Sequence, residues 1–64
     1  MKQYIIYDTI FDNYYMDCGD WTIYKSCAQK YNTEKEAKKV MHYIIALNKP
    51  IKLKELKLIE VKGE

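Results

Sequence analysis

The sequence predicts an α+β fold with the element order ββαβ, in which one amphipathic helix packs on one face of a three-stranded antiparallel-type sheet. Strand-like segments rich in Ile, Tyr, Leu and Val lie towards both ends of the chain, and a helix pattern lies between them. The 64 residues suffice for a single domain, 1–64, with one small core. Because the run Tyr4–Tyr7 is apolar on both faces, we expect this first strand to be central, with the sheet order 2-1-3.

The first two strands are predicted to form a hairpin over about residues 3–18. Ile, Tyr and Thr dominate the first strand as far as Phe11, the polar pair Asp12-Asn13 is the predicted turn, and 14–18 is the returning strand. We expect a loop or one short helical turn over about 19–32, beginning at Gly19, which adopts a positive φ without strain.

The helix is predicted over about 34–48. Thr33 and Glu36 have the spacing of a capping box, in which each side chain satisfies a backbone amide of the first turn. Pro50 disfavours helical geometry in the residue before it and so ends the helix. The apolar stripe of this helix consists of Ala37, Val40, Met41, Ile44 and Leu47.

The last strand, predicted over about 53–62, does not keep its apolar side chains on one face. Leu56 and Leu58 point to one side, and Ile59 and Val61 point to the other. Either a β-bulge lies near Leu58-Ile59 or both faces of the strand are covered. Since one helix covers only one face of the sheet, we expect a homodimer or a partner protein to cover the remaining apolar face. For a monomer, the expected docking residues are Tyr4, Ile6, Leu56 and Leu58.

Composition argues against several function classes. Cys18 and Cys27 are too far apart in sequence for a zinc pair of the usual spacing, and we expect free thiols rather than a disulfide or a metal site. The chain has no phosphate-cradling glycine loop and no nucleophile motif, so we expect neither an enzyme nor a cofactor. It has no apolar run of membrane-spanning length and no pattern of a signal peptide, so we expect a cytoplasmic protein.

Charge divides the chain into two candidate surfaces. Residues 1–22 carry all four aspartates against one lysine, interleaved with aromatic residues, whereas 23–64 carry ten lysines against five glutamates and no arginine. Tyr and Trp are enriched among interface hot spots, so the acidic and aromatic end is the predicted protein-binding surface. The residues chosen for that role are Tyr14, Tyr15, Asp17, Asp20 and Trp21.

The lysine-rich part suggests a second function class. A lysine face contacts phosphate groups as point charges, although arginine, which favours base-specific contacts, is absent. A plain solvated helix face, supported by Glu34 and Lys38 at i,i+4, is the alternative. The candidate nucleic-acid-binding residues are Lys35, Lys38, Lys39 and Lys52. A third class is an accessory structural subunit that docks its apolar sheet face on a larger assembly.

Three central motifs lie between an opening Y-I-I strand, a Y-Y return strand and a closing I-E-V strand. They are Gly19-Asp20-Trp21-Thr22, Ala28-Gln29-Lys30-Tyr31-Asn32-Thr33 and Glu36-Ala37. In this pattern the chain resembles small uncharacterised ββαβ proteins of phages and mobile elements of low-GC bacteria. The resemblance implies no cofactor, no catalytic residues and stoichiometric binding to a host factor. The expected function is therefore that of a non-catalytic inhibitor or modulator of a bacterial host protein, such as a CRISPR-type defence component.

Overall fold

A computed structural model describes residues 2–16, 19–47 and 52–62 of the chain. In chain order the elements are β1 (Lys2–Asp8), β2 (Asn13–Tyr15), β3 (Trp21–Thr22), a 3₁₀ helix (Lys25–Cys27), α1 (Glu34–Leu47), a second 3₁₀ helix (Leu53–Glu55) and β4 (Leu56–Lys62). The strands form one antiparallel sheet in the order β3-β2-β1-β4. The α+β class is confirmed, and β1 lies between β2 and the last strand.

The prediction of three strands was wrong, because the segment expected to be a loop contains β3. Trp21 pairs with Tyr15 and Thr22 pairs with Tyr14, which extends the sheet beyond β2. The backbone N–H of Met16 donates to the carbonyl of Asp20 at 2.7 Å just before this pairing begins. A strand of two residues is too short to show an alternating pattern, so the sequence contains no periodic signal for it.

β1 and β4 pair along their whole length, from Lys2 opposite Lys62 to Asp8 opposite Leu56. The register is continuous, so the β-bulge considered near Leu58-Ile59 does not occur. β4 begins at Leu56 rather than near residue 53, because one turn of 3₁₀ helix precedes it. The Lys52 amide donates to the Glu55 carboxylate at 2.9 Å, and this hydrogen bond stabilises the turn directly before the strand.

α1 covers the face of the sheet that carries Ile6 and Leu56. The buried core joins these two to the helix, to β2 and to the segment before the helix, and comprises Ile6, Tyr15, Tyr31, Ala37, Met41, Ile44 and Leu56. Tyr4 and Leu58 pack against the same cluster. The docking surface expected for a monomer is therefore wrong, since its four residues lie on the side that the helix covers.

The opposite side of the sheet, which we call the open face, consists of the alternate residues along each strand. Ile5 lies opposite Ile59, and Tyr7 lies opposite Tyr14 on one side. Ile5 is fully buried, so this face is covered at that position, whereas Tyr7, Tyr14 and Ile59 are half-buried. The apolar residues of both parities in β1 and β4 thus divide between a helix-covered face and the open face.

α1 begins directly after Thr33, whose hydroxyl accepts a hydrogen bond from the Glu36 amide at 3.1 Å. This is the N-cap half of the predicted capping box. Along the predicted stripe Ala37, Met41 and Ile44 are buried, but Leu47, the last residue of α1, is 64% exposed. Residue 48, the predicted end of the helix, lies outside the described residues.

Candidate protein-binding surface

Two of the five predicted protein-binding residues, Tyr15 and Trp21, belong to the core side of the sheet. Tyr15 is buried, and Trp21 packs half-buried against the core cluster. Their rings meet edge to face with centroids 5.3 Å apart. The Tyr15 hydroxyl also accepts a hydrogen bond from the Gly19 amide at 3.2 Å. Tyr15 is thus engaged at both its ring and its hydroxyl, in contacts that stabilise the fold.

The remaining three predicted residues do not gather around them. Tyr14 lies on the open face, where its ring is 5.1 Å from that of Tyr7. Asp20 is exposed at the start of β3, and Asp17 lies outside the described residues. Successive side chains of a strand point to opposite faces, so Tyr14 and Tyr15, which are adjacent in β2, lie on different faces of the sheet.

A different set of large apolar side chains is exposed in two loops. Ile10 and Phe11, in the turn between β1 and β2, are 68% and 69% exposed. Ile23 and Tyr24, directly after β3, are 70% and 64% exposed. We call these four residues the tip patch.

The strand register places both parts of the tip patch at one end of the sheet. Asp8 pairs with Asn13 where the turn between β1 and β2 closes, and Tyr14 pairs with Thr22 one residue further into the sheet. Ile23 follows Thr22 and so lies at the level of Asn13. Exposed apolar side chains that cluster in one region favour an interaction surface, whereas single ones scattered over a surface are normal.

One buried carboxylate builds the first loop of the tip patch. Asp8 is 1% exposed, and its Oδ1 accepts hydrogen bonds from the amides of Ile10 at 2.9 Å and Phe11 at 3.2 Å. Its carbonyl accepts from the amide of Asp12 at 3.0 Å, and Asp12 has a positive φ of 55°. The turn predicted at Asp12-Asn13 therefore lies earlier, over 9–12, since the Asp8 side chain ends the strand.

Further hydrogen bonds hold both loops against the sheet. Thr9 donates from its amide and its hydroxyl to the Glu55 carbonyl, at 2.9 and 2.8 Å, and so ties the turn to the start of β4. In the second loop the Tyr24 amide donates to the Thr22 hydroxyl at 3.1 Å. The Tyr24 carbonyl accepts from the Cys27 amide at 3.0 Å. The tip patch is therefore displayed on ordered backbone.

Beside the tip, the Tyr7 hydroxyl donates a hydrogen bond to the Asp12 carboxylate. This hydrogen bond raises the pKa of Tyr7 above its ordinary value of 10.0, because it stabilises the protonated phenol. Desolvation and the negative charge of Asp12 act in the same direction. This hydrogen bond connects the open face to the turn between β1 and β2. It engages Asp12, which is the charged side chain of the turn over 9–12.

The predicted basic residues all lie on exposed positions. Lys35, Lys38 and Lys39 are on the outer side of α1, and Lys52 precedes the second 3₁₀ helix. Lys38 forms an ion pair with Glu34 at 3.4 Å, so acidic side chains accompany the lysines on this surface.

Cys27 is an exposed free thiol, and Cys18 lies outside the described residues. Among the residues that the structure describes, no three histidine, cysteine, aspartate or glutamate side chains are grouped so as to hold a metal ion. Within the same residues, no helix has the length and apolar character needed to cross a membrane.

No protein-family model matches the chain, and comparisons with curated proteins and with solved structures give no significant match.

The acidic and aromatic residues in the first part of the chain also include Phe11 and, just beyond residue 22, Tyr24, but sequence reasoning did not identify Ile10 and Ile23. The sequence predicts that the first strand continues through Ile10, because Ile is a strong strand former. The available signal was Asp8-Thr9, since an aspartate or a threonine at the end of an apolar run favours a turn through its own side chain.

Proposed function

We propose that this chain is a non-catalytic protein-binding module whose contact surface is the tip patch. The observation that carries the proposal is the exposure of Ile10, Phe11, Ile23 and Tyr24 at one end of the sheet. Burying four such side chains against a partner would remove a large apolar area from water, which is the main favourable term in protein association.

Preorganisation supports the same proposal. Ordering a flexible loop at an interface lowers affinity, and a loop that is already held in place avoids this cost. The hydrogen bonds of Asp8, Thr9 and Thr22 hold the backbone of both loops in the free chain. Interface hot spots are enriched in Tyr and Trp. The tip patch presents such a residue, Tyr24, exposed on ordered backbone.

The partner in this proposal is a bacterial host protein, and the chain acts as a phage- or prophage-type inhibitor or modulator, for example of a defence component. Binding of the intact chain would block or alter the partner stoichiometrically. This role follows from the resemblance of the sequence to small phage proteins and requires no reaction at the contact surface.

Affinity capture from lysates of low-GC bacteria tests the proposal when three versions of the chain are compared. The variant Phe11→Ser/Tyr24→Ser removes both aromatic rings of the tip patch. Tyr43→Ser is the matched control, since Tyr43 is 60% exposed on α1. We expect a host protein that is captured by the wild type and the control but lost with the tip variant. Equal capture by all three versions would contradict the proposal.

Calorimetry with the purified captured protein then measures the loss. Truncation of a hot-spot residue costs about 2 kcal/mol or more, so the tip variant should bind at least about thirtyfold more weakly. Circular dichroism checks that the variants keep the fold, as substitutions at exposed positions change stability by only about 0.5 kcal/mol.

Nucleic-acid binding through Lys35, Lys38, Lys39 and Lys52 is the competing function, and a titration with a labelled DNA duplex decides it. Affinity through lysine–phosphate contacts falls steeply as salt rises. If the chain bound the duplex tightly, and Lys35→Gln/Lys39→Gln abolished that binding while the tip variant did not, the basic surface would be the functional one.

A further inference from the structure

β4 is an edge of the sheet and is open along its length. It lies at the end of the strand order β3-β2-β1-β4, and in the described part of the chain no strand pairs with its outer side. Its seven residues contain no proline and run in continuous register with β1. An edge in continuous register is a template for pairing with another strand, and natural proteins protect such edges with bulges, prolines or charged side chains, of which β4 has only the last, at Lys57, Glu60 and Lys62.

The hydrogen bonds of β1 show which backbone groups of β4 point outwards. Tyr4 exchanges both of its backbone hydrogen bonds with Tyr31, each at 2.8 Å, so its N–H and C=O point away from β4. In an antiparallel ladder, hydrogen-bonded and non-hydrogen-bonded pairs alternate. Glu60, opposite Tyr4, and Leu58, two residues earlier, are therefore in non-hydrogen-bonded pairs. Their N–H and C=O groups point to the outer edge.

We propose that β4 pairs antiparallel with β4 of a second copy of this chain, so that the two four-stranded sheets join into one continuous sheet about a two-fold axis. The register that overlaps all of β4 places Ile59 opposite Ile59 of the second copy. Since Ile59 already lies opposite Ile5 within the chain, the two copies together form one row of isoleucines across the open face. Apolar cross-strand pairs of this kind stabilise a sheet.

The charges of β4 also fit this register. Lys57 lies opposite Val61 of the second copy, and Lys62 lies opposite Leu56, so no like charges face each other directly. A shift of two residues in one direction would place Glu60 opposite Glu60 of the second copy, which is destabilising. A shift in the other direction would leave Val61 and Lys62 beyond the end of the partner strand. The full-overlap register is therefore preferred.

The pairing also fixes where the two tip patches lie. Leu56, the first residue of β4, is opposite Asp8 at the tip end of the sheet. Antiparallel β4 strands therefore place the two tip patches at opposite ends of the joined sheet. The dimer stands independently of the proposed function, because no residue of the tip patch takes part in the pairing.

Light scattering on the purified full chain tests the pairing, with an expected mass of twice 7.7 kDa. Glu60→Pro removes an outward N–H without removing a hydrogen bond between β1 and β4. Glu60→Thr is the matched control, since it also removes the Lys2–Glu60 ion pair, 3.3 Å long, but keeps the amide. The proline variant loses two hydrogen bonds per dimer, which raises the dissociation constant by about thirtyfold or more. The threonine variant is expected to remain dimeric.

Amide hydrogen exchange of the wild type at two protein concentrations gives an independent measurement. The amides of Leu58 and Glu60 should become more protected as concentration rises, whereas that of Ile59, which already points towards β1, should change less. A monomeric wild type at millimolar concentration would overturn the proposal, as would equal dimerisation of the proline and threonine variants. If the proline variant fails to fold, concentration-independent exchange at Leu58 and Glu60 overturns it.

Discussion

Replacing Asp8 by alanine tests whether one buried carboxylate builds the tip of the hairpin. The change removes two hydrogen bonds from a charged acceptor, to the amides of Ile10 at 2.9 Å and Phe11 at 3.2 Å. Hydrogen bonds to charged groups contribute about 1.5–3 kcal/mol each, and we take the lower value because both donors belong to exposed residues that water reaches. The two hydrogen bonds together contribute about 3 kcal/mol. The variant no longer buries a carboxylate, which offsets about 1 kcal/mol of this, so the expected net loss of stability is about 2 kcal/mol.

For a chain of this size a loss of about 2 kcal/mol is large. Small domains have a free energy of unfolding of about 0.05–0.15 kcal/mol per residue, and each kcal/mol corresponds to about 4–8 °C in Tm. We therefore expect Asp8→Ala to lower Tm by about 8–16 °C. Urea unfolding followed by circular dichroism, at one fixed protein concentration, measures the free energy directly.

Asp8→Asn is the matched control for this measurement. Asparagine keeps the side-chain oxygen that accepts from Ile10 and Phe11 but lacks the charge, so its loss should be about half that of alanine. In hydrogen exchange, the amides of Ile10 and Phe11 should be deprotected in the alanine variant before the rest of the sheet. Losses within 0.5 kcal/mol of zero for alanine, or equal for both variants, would refute the role given to Asp8.

Three further predictions follow from other contacts. Ile44→Ala should lower the free energy of unfolding by about 2–5 kcal/mol, because Ile44 is 1% exposed in the core, and chemical denaturation measures the loss. Thr33→Ala should cost about 1 kcal/mol by the same measurement, because the Glu36 amide loses its cap. By NMR titration, Tyr7 should deprotonate above its ordinary pKa, and Asp12→Ala, which removes the largest cause of the shift, should lower the pKa towards that value. Since the folded-state pKa of Tyr7 is raised, its contribution to stability is present below the unfolded pKa and is lost as pH rises through the folded one.

Each of these predictions has a control in the same chain. Leu47→Ala, at the exposed end of the helical stripe, should change stability by less than about 0.5 kcal/mol, and an equal loss at Ile44 would contradict the core assignment. Thr33→Ser keeps a hydroxyl, so it should retain most of the cap, unlike alanine. A Tyr7 pKa that is insensitive to Asp12→Ala would show that the hydrogen bond between them does not cause the shift.

The parts of the fold that a repeating pattern specifies were predictable. Thr33 marks the start of α1, and the spacing of Ala37, Met41 and Ile44 specifies the face that packs on the sheet. The central position of β1 followed from apolar residues on both of its faces. In each case several residues contribute to one signal, so a single substitution or an irregular neighbour does not hide it.

The parts that depend on one or two residues were not predictable in the same way. β3 consists of Trp21 and Thr22 alone and is specified by pairing with β2, which is a tertiary interaction. The position of the first turn depends on the hydrogen bond that the Asp8 side chain accepts from the Ile10 amide. β-propensity does not contain this information, and it predicts that the strand continues through Ile10. Composition does not distinguish a buried tyrosine from an exposed one, so it predicts Tyr15 at the contact surface although the residue is buried.

The aspartates of the first third of the chain explain why an acidic surface was predicted. Asp8 is buried in the turn, and Asp12 accepts from the Tyr7 hydroxyl, so two of these carboxylates are engaged in local structure. Asp20, at the start of β3, lies at the other end of the short β2–β3 pair. Aspartate is common in turns for this reason, and a count of charges does not separate that use from a binding surface.

It follows that the contact proposed at the tip patch is mainly apolar. Its affinity for a captured host protein should change little between low and moderate salt, because apolar burial is not screened by ions whereas exposed charge pairs are. Titrations of the wild type with that protein at two salt concentrations measure the difference, with Asp20→Asn as a control for an exposed carboxylate next to β3. A steep fall with salt that Asp20→Asn removes would show that the partner is held by charge, and would move the contact surface away from the tip patch and towards β3.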